Sequence, residues 1–191
     1  MTSKTYLNIL QTARRLFVEQ GYTATSIRQI AETIGIGKAT IYHHFPEKQA
    51  IVMALLEQNL GQMNDALAAV RREKEPRRRI EVAAQSSTRF LLESADVMQI
   101  ARREVPRARD EIQQQFRLFL KDYLALLSEA IQLGSEQGIF RPVDPLQATR
   151  VFMIMIQGTF AMAYTSGERF QSPEQAAELL LDVFFRGIDA R

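Results

Sequence analysis

The chain of 191 residues is expected to fold as an all-α protein of about nine helices. Three observations lead there. Apolar residues recur at three- and four-residue spacing and no run alternates as a half-buried strand would. All six prolines fall where those helical patterns start or stop. Finally, 46% apolar and 24% charged residues are ordinary for a globular protein with one sizeable core, or with a small module fused to a larger domain.

The elements follow in order. Ile9, Ala13, Leu16 and Phe17 form one stripe that closes at Gly21-Tyr22. Thr25 reads as the N-cap of a helix whose Ile27, Ile30, Ala31 and Ile34 share a face. Gly35-Ile36-Gly37 interrupts the chain before KATIYHHF, and Pro46 closes that short helix. Two short helices joined by a glycine-containing turn outline a helix-turn-helix. A long helix is then expected over 47–70, followed by helices over 77–94 and 95–105. Another over 108–137 aligns Ile112, Phe116, Phe119, Tyr123, Leu127 and Ile131, with Gly134 and Gly138 marking where it frays. Asp144-Pro145 and Ser172-Pro173-Glu174-Gln175 supply N-cap and N1 proline for the last two, over 145–166 and 173–189. The basic run RREKEPRRR at 71–79, interleaved with glutamate, reads as a solvated surface. The uncharged segment 151–167 is too short and too polar for a membrane span and reads as a buried helix.

Charge is uneven. The net charge is +2, but residues 1–48 alone carry +3, which suits a polyanionic partner at that end. Zero cysteines exclude disulfides and thiol chemistry and fit a cytoplasmic setting, as does the lack of an apolar signal core in MTSKTYLNILQTARR. The only two histidines, His43 and His44, sit about 100° apart on a helix, so they diverge and do not chelate one ion. No nucleophile elbow, phosphate loop or carboxylate pair accompanies them, so neither a metal, a cofactor nor catalysis is expected. Contact with DNA accounts for more of the letters. Ile41 and Phe45 can pack inward, leaving Lys38, Ala39, Thr40, Tyr42, His43 and His44 outward or flanking. The alternative at this point is a solvated helix with Tyr42 in the core.

The string GYTATSIRQIAETIGIGKATIYHHFPEKQAIV resembles the DNA-binding domain of the TetR/AcrR family of bacterial transcriptional regulators, and with ILQTARRLFVEQGY the resemblance covers residues 5–52. It implies a helix-turn-helix domain over 1–46 and a helical ligand-binding and dimerisation domain over 47–191, joined by the connector helix 47–70. Carried over by position, Thr25, Thr40, Tyr42, His44 and Lys48 match phosphate-contacting residues. Arg28, Lys38, Ala39 and His43 match residues facing bases or the groove edge. One departure is Gly37, where many members place Ser or Thr as the cap of the recognition helix. The resemblance also implies a homodimer on a palindromic double-stranded operator, usually repressing and usually released by a small molecule. Leu180, Leu181, Phe184, Phe185 and Ile188 are the expected dimer surface. The expected lining of a largely apolar effector site is Met98, Phe116, Phe119, Tyr123, Phe152, Met155, Gln157, Phe160 and Met162. Two other readings stay open: a DNA-binding protein of this fold without a ligand, and a helical small-molecule carrier or enzyme.

Overall fold

The computed structural model describes residues 3–165 and 172–190, apart from the side chains at 107, 108, 111, 160 and 162–165. Among the described residues there are eight α-helices: α1 (Lys4–Gln20), α2 (Ile27–Ile34), α3 (Lys38–His44), α4 (Lys48–Arg72), α5 (Pro76–Glu104), α6 (Pro106–Glu136), α7 (Pro145–Thr165) and α8 (Pro173–Ile188). The separate helices expected over 77–94 and 95–105 are one, α5. Nothing between them breaks a helix, and Asp96 turns its carboxylate to the Arg14 guanidinium, two bonds of 3.0 Å each, instead of to a cap. No helix is long and apolar enough to cross a membrane among the described residues.

The chain divides into two compact units. The first comprises Met1–Gly61 and Ser94–Gln114. Its core takes Ile9, Ala13, Leu16 and Phe17 from α1, Ile30 and Ala31 from α2 and Ile41 from α3, the stripes that helical periodicity marks. Phe45, just past α3, and Ile51, Val52 and Leu56 of α4 are buried with them, as are Val97 and Ala101 of α5. The forked Arg14–Asp96 pair fastens α1 to α5 inside this unit.

The second unit comprises Gln62–Glu93 and Gln115–Arg191. Tyr123, Leu127, Ile131, Phe140, Phe152, Ile156, Leu180, Phe184 and Phe185 form its centre. Phe152 meets Phe184 edge-on at 4.9 Å and Phe140 stacks on Phe185 at 6.1 Å. Past α6, Gly138 takes φ +73, a conformation that favours glycine, and the backbone amides of Ile139 and Phe140 return to the Gly134 carbonyl. Gly134 is therefore not a fraying point: a Cβ there would stand 2.3 Å from the Phe140 ring. The only β pairing among the described residues is a bridge between Phe140 and Asp189, which ties the turn after α6 to the end of α8.

Two expectations change here. Arg79, within the basic run read as a solvated surface, is 4% exposed. Its guanidinium donates to the Glu73 carbonyl at 2.7 Å and to the Glu129 carboxylate at 2.7 Å, so it joins α5 to α6. The segment read as a buried helix is buried on one side only, since Phe152 and Ile156 are covered while Val151 and Ile154 are 52% and 67% exposed.

Candidate nucleic-acid interface and ligand cavity

In the first unit, α2 and α3 are set by their ends. The cap of α2 is Ser26, one residue beyond the expected Thr25, and its hydroxyl accepts the Gln29 amide at 3.1 Å. Ser26-Ile27-Arg28-Gln29 has the capping-box order, the signal in the sequence that favours Ser26. Thr25 is 1% exposed, and its hydroxyl donates to the carbonyls of Leu16 (3.2 Å) and Gly21 (2.9 Å). It is an internal staple between α1 and the turn, so its side chain is not available to a phosphate. Gly35 closes α2 at φ +79, a left-handed position. Gly37 then caps α3 with no side-chain bond, as a glycine must.

Along α3, Ile41 is fully buried and Phe45 beyond it is 3% exposed, resting on Tyr6 with ring centres 4.9 Å apart. The opposite side is open. Lys38, Ala39 and His43 are exposed, Tyr42 is 52% exposed, and Thr40 and His44 are half-buried. The His44 ring stands edge-on to Tyr6 at 6.0 Å. Arg28, on α2, is also exposed and bonded to Glu32 one turn on at 2.6 Å. Lys38, Ala39, Thr40, Tyr42, His43 and His44 are thus carried together on one anchored helix of seven residues.

Lys48 opens α4 and does two things at once. Its ammonium donates to the Tyr22 and Thr25 carbonyls at 2.7 and 2.8 Å and lies 4.1 Å from the Tyr22 ring centre. Two of its three protons are thereby used, leaving one for an outside acceptor. Partial burial lowers its pKa while Glu104 opposes that shift, and burial raises the Tyr22 phenol. No group of three His, Asp or Glu side chains able to hold a metal ion occurs among the described residues.

In the second unit, a narrow apolar cavity of about 40 Å³ is lined from α4 by Met63 and Ala66, and from α5 by Ser86, Ser87, Phe90 and Leu91. Phe116, Phe119, Met153, Ile156 and Gln157 complete it. Phe116, Phe119 and Gln157 of the expected lining meet there. Tyr123 does not: it is fully buried, donates to the Ala83 carbonyl at 2.8 Å and shares a 2.5 Å bond with Ser87. Phe152 is core against Phe184, Met155 packs at the edge of that core, and Met98 belongs to the other unit. The side chains of Phe160 and Met162 lie outside the described residues. The α4 and α5 contributions were missed because their small and polar letters, Ala66, Ser86 and Ser87, carry no sign of a cavity in the sequence.

The expected dimer residues are placed otherwise. Leu180, Phe184, Phe185 and Ile188 are 3–6% exposed within their own chain, and Leu181 packs on the same core. What α8 leaves uncovered is Leu179 and Val183, 55% and 53% exposed, with Gly187 one turn further. On α7 the matching stripe is Val151, Ile154, Gly158 and Ala161. Bulk was the misleading signal: the intramolecular core takes the phenylalanines.

Residues 9–55 match the family model for bacterial regulatory proteins of the tetR family, and residues 73–188 match that for the tetracyclin repressor-like C-terminal domain. The chain is 28% identical over 190 residues, 95% of this chain and 96% of that one, to the HTH-type transcriptional regulator YvkB of Bacillus subtilis. A transcriptional regulator from Saccharomonospora viridis, solved in complex with choline, is 25% identical with TM-score 0.71 and 97% of each chain covered. AibR, solved with isovaleryl coenzyme A and operator DNA, shares the fold at 24% identity and TM-score 0.62, with 94% of this chain and 97% of that one covered. Two family models that together span most of the chain, a helix-turn-helix with an open α3 and a separate helical body establish that this protein belongs to the TetR family of bacterial regulatory proteins, transcriptional regulators and not enzymes.

Proposed function

We propose that the protein is a ligand-responsive repressor that binds a palindromic operator as a homodimer and is released by a largely apolar small molecule. The observation that carries the reading is α3: a short helix pinned by Ile41 and Phe45 with Lys38, Thr40, Tyr42, His43 and His44 on its open side. Lysine, hydroxyl and imidazole groups at that density donate to phosphate oxygens and base edges, and Ala39 allows close approach to the groove. Ser26 takes the phosphate-facing place expected of Thr25, since the first amides of α2 lie beside it. Arg28 faces the groove edge once Glu32 yields it, and Lys48 has its third proton for the backbone.

Residues 1–46 act as the reader, and 47–191 bind the effector and dimerise. The connector α4 carries Lys48 in its first turn and Met63 and Ala66 of the cavity farther along. A ligand that fits the cavity better in the state that does not hold DNA shifts the balance by typically about 1–3 kcal/mol. AibR, crystallised with both an acyl coenzyme A and operator DNA, shows that this fold can host both partners.

The test is operator binding on intergenic DNA near the protein's own gene, by gel shift across a salt series. Tyr42→Phe and Lys38→Ala are expected to weaken binding with unchanged helical content, Tyr42→Phe across all sequences with little change in salt slope because it removes no charge, and Lys38→Ala with altered preference among sequences. Thr25→Ala is expected to lower stability in step with its buried bonds. Unaltered affinity in both α3 variants refutes the assignment of α3 as the reader.

A further inference from the structure

A short chain of hydrogen bonds sets the polarity of the cavity wall. The Tyr123 phenol stands 2.8 Å from the Ala83 carbonyl and 2.5 Å from the Ser87 hydroxyl. A carbonyl has no proton to give, so the single proton of the phenol lies toward Ala83. The proton between Ser87 and Tyr123 therefore comes from Ser87. Ser86 is oriented likewise, its hydroxyl donating to the Val82 carbonyl at 2.7 Å and to that of Ala83 at 3.2 Å. Both serines line the cavity, both are half-buried, and both have spent their protons on the protein. What their oxygens keep for an occupant is lone pairs, so each accepts a hydrogen bond and neither donates one.

We infer that the effector is an uncharged hydroxyl compound, a slender apolar alcohol or phenol whose O–H donates to Ser86 or Ser87 in the cavity. This rests on the cavity being the effector site. Charge is disfavoured because no ionisable side chain lines the cavity among the described residues, and a buried charge without a partner is costly. A ketone, ether or ester brings only acceptors, which set lone pair against lone pair and leave the serine oxygens unpaired. Gln157 is exposed, and its amide both donates and accepts, so it selects neither kind of group. The apolar remainder of the molecule meets Met63, Phe116, Phe119 and Met153. A volume of about 40 Å³ restricts it to a slender frame, and the two methionines are the side chains best able to give way for it.

The test is an NMR titration of the full chain with 1-hexanol, 2-hexanone, hexanoate and hexylammonium, followed at the methyl signals of Met63 and Met153. These signals report occupancy of the cavity itself. Hexanol is expected to bind tightest, about fivefold or more tighter than hexanone, the difference made by one hydrogen bond. Ser86→Ala combined with Ser87→Ala should bring hexanol down to the level of hexanone and leave hexanone within about twofold of its parent affinity. Alanine favours the helix, so α5 is kept, and the response to hexanone shows that the cavity is intact. Hexanone, hexanoate or hexylammonium binding the parent as well as or better than hexanol overturns the inference while the cavity reading stands. A hexanol advantage that survives both alanines overturns the role of the serines, and the inference with it. If no probe moves the two methyl signals, the cavity is not the effector site, and the inference falls together with that reading.

Discussion

If α7 and α8 pair with a second copy, the contact must use Ile154. It is 67% exposed, the most open of the large apolar side chains described, and it lies on one stripe with Val151, Gly158 and Ala161. Among the described residues nothing lies within 4 Å of where a Cβ would stand at Gly158 or Gly187, so no close contact there calls for glycine. Small residues flanking apolar ones allow two helices to approach closely. A homodimer with twofold symmetry uses each residue twice. Truncating Ile154 to alanine removes roughly 1–2 kcal/mol of newly buried apolar surface per copy. The pair then loses about 2–4 kcal/mol, a dissociation constant raised about 30- to 1,000-fold. Ile154→Arg should go further, because a charge enters an apolar contact on both sides. Sedimentation velocity over a dilution series reads this directly, with far-ultraviolet circular dichroism confirming that the monomer keeps its helices. Phe184→Ala is the contrasting variant: buried against Phe152, it is expected to cost about 3–5 kcal/mol of folding stability instead. An Ile154→Arg protein that dissociates at the same concentration as the parent refutes this face as the interface.

Two further outcomes follow from the second unit. Gly134→Ala places a methyl carbon against the Phe140 ring, and crowding outweighs the gain in helix propensity, so denaturant unfolding should show a loss of about 1–2 kcal/mol. A variant at least as stable as the parent would mean that Phe140 can move aside at little cost. Burial holds the Tyr123 phenol well above its ordinary 10.0, with the bond to Ser87 opposing. A raised folded-state pKa means that its stabilisation is complete below pH 10 and is lost as pH rises beyond that value. In an alkaline titration followed by ultraviolet absorbance, the Tyr123 tyrosinate should form only as helicity collapses, and Tyr123→Phe should remove that step. A Tyr123 that ionises with the helices intact contradicts its burial.

Much of this molecule is local and so legible in its letters. The stripes Ile9-Ala13-Leu16-Phe17 and Ile30-Ala31 mark the faces that are buried, and Gly35, Pro46, Pro145 and Pro173 mark where helices end or begin. Each of these depends on neighbours within a few residues, through capping, backbone conformation and the helical period. The recognition helix was readable for the same reason: burying Ile41 and Phe45 commits Lys38, Tyr42 and His43 to the outside. What composition and period could not assign was which partner a given apolar or polar group meets. Thr25 and Ser26 are adjacent and chemically alike, yet one points to the carbonyls of Leu16 and Gly21 and the other to an amide of its own helix. Arg79 reads as one more surface arginine until Glu129, 50 residues away, closes over it. Phe184 and Leu179 share a helix and an apolar character, but Phe152 covers the first and the second stays 55% exposed. Helical period sets which residues share a face; only packing between distant helices decides whether that face becomes core, cavity wall or a surface left for another molecule.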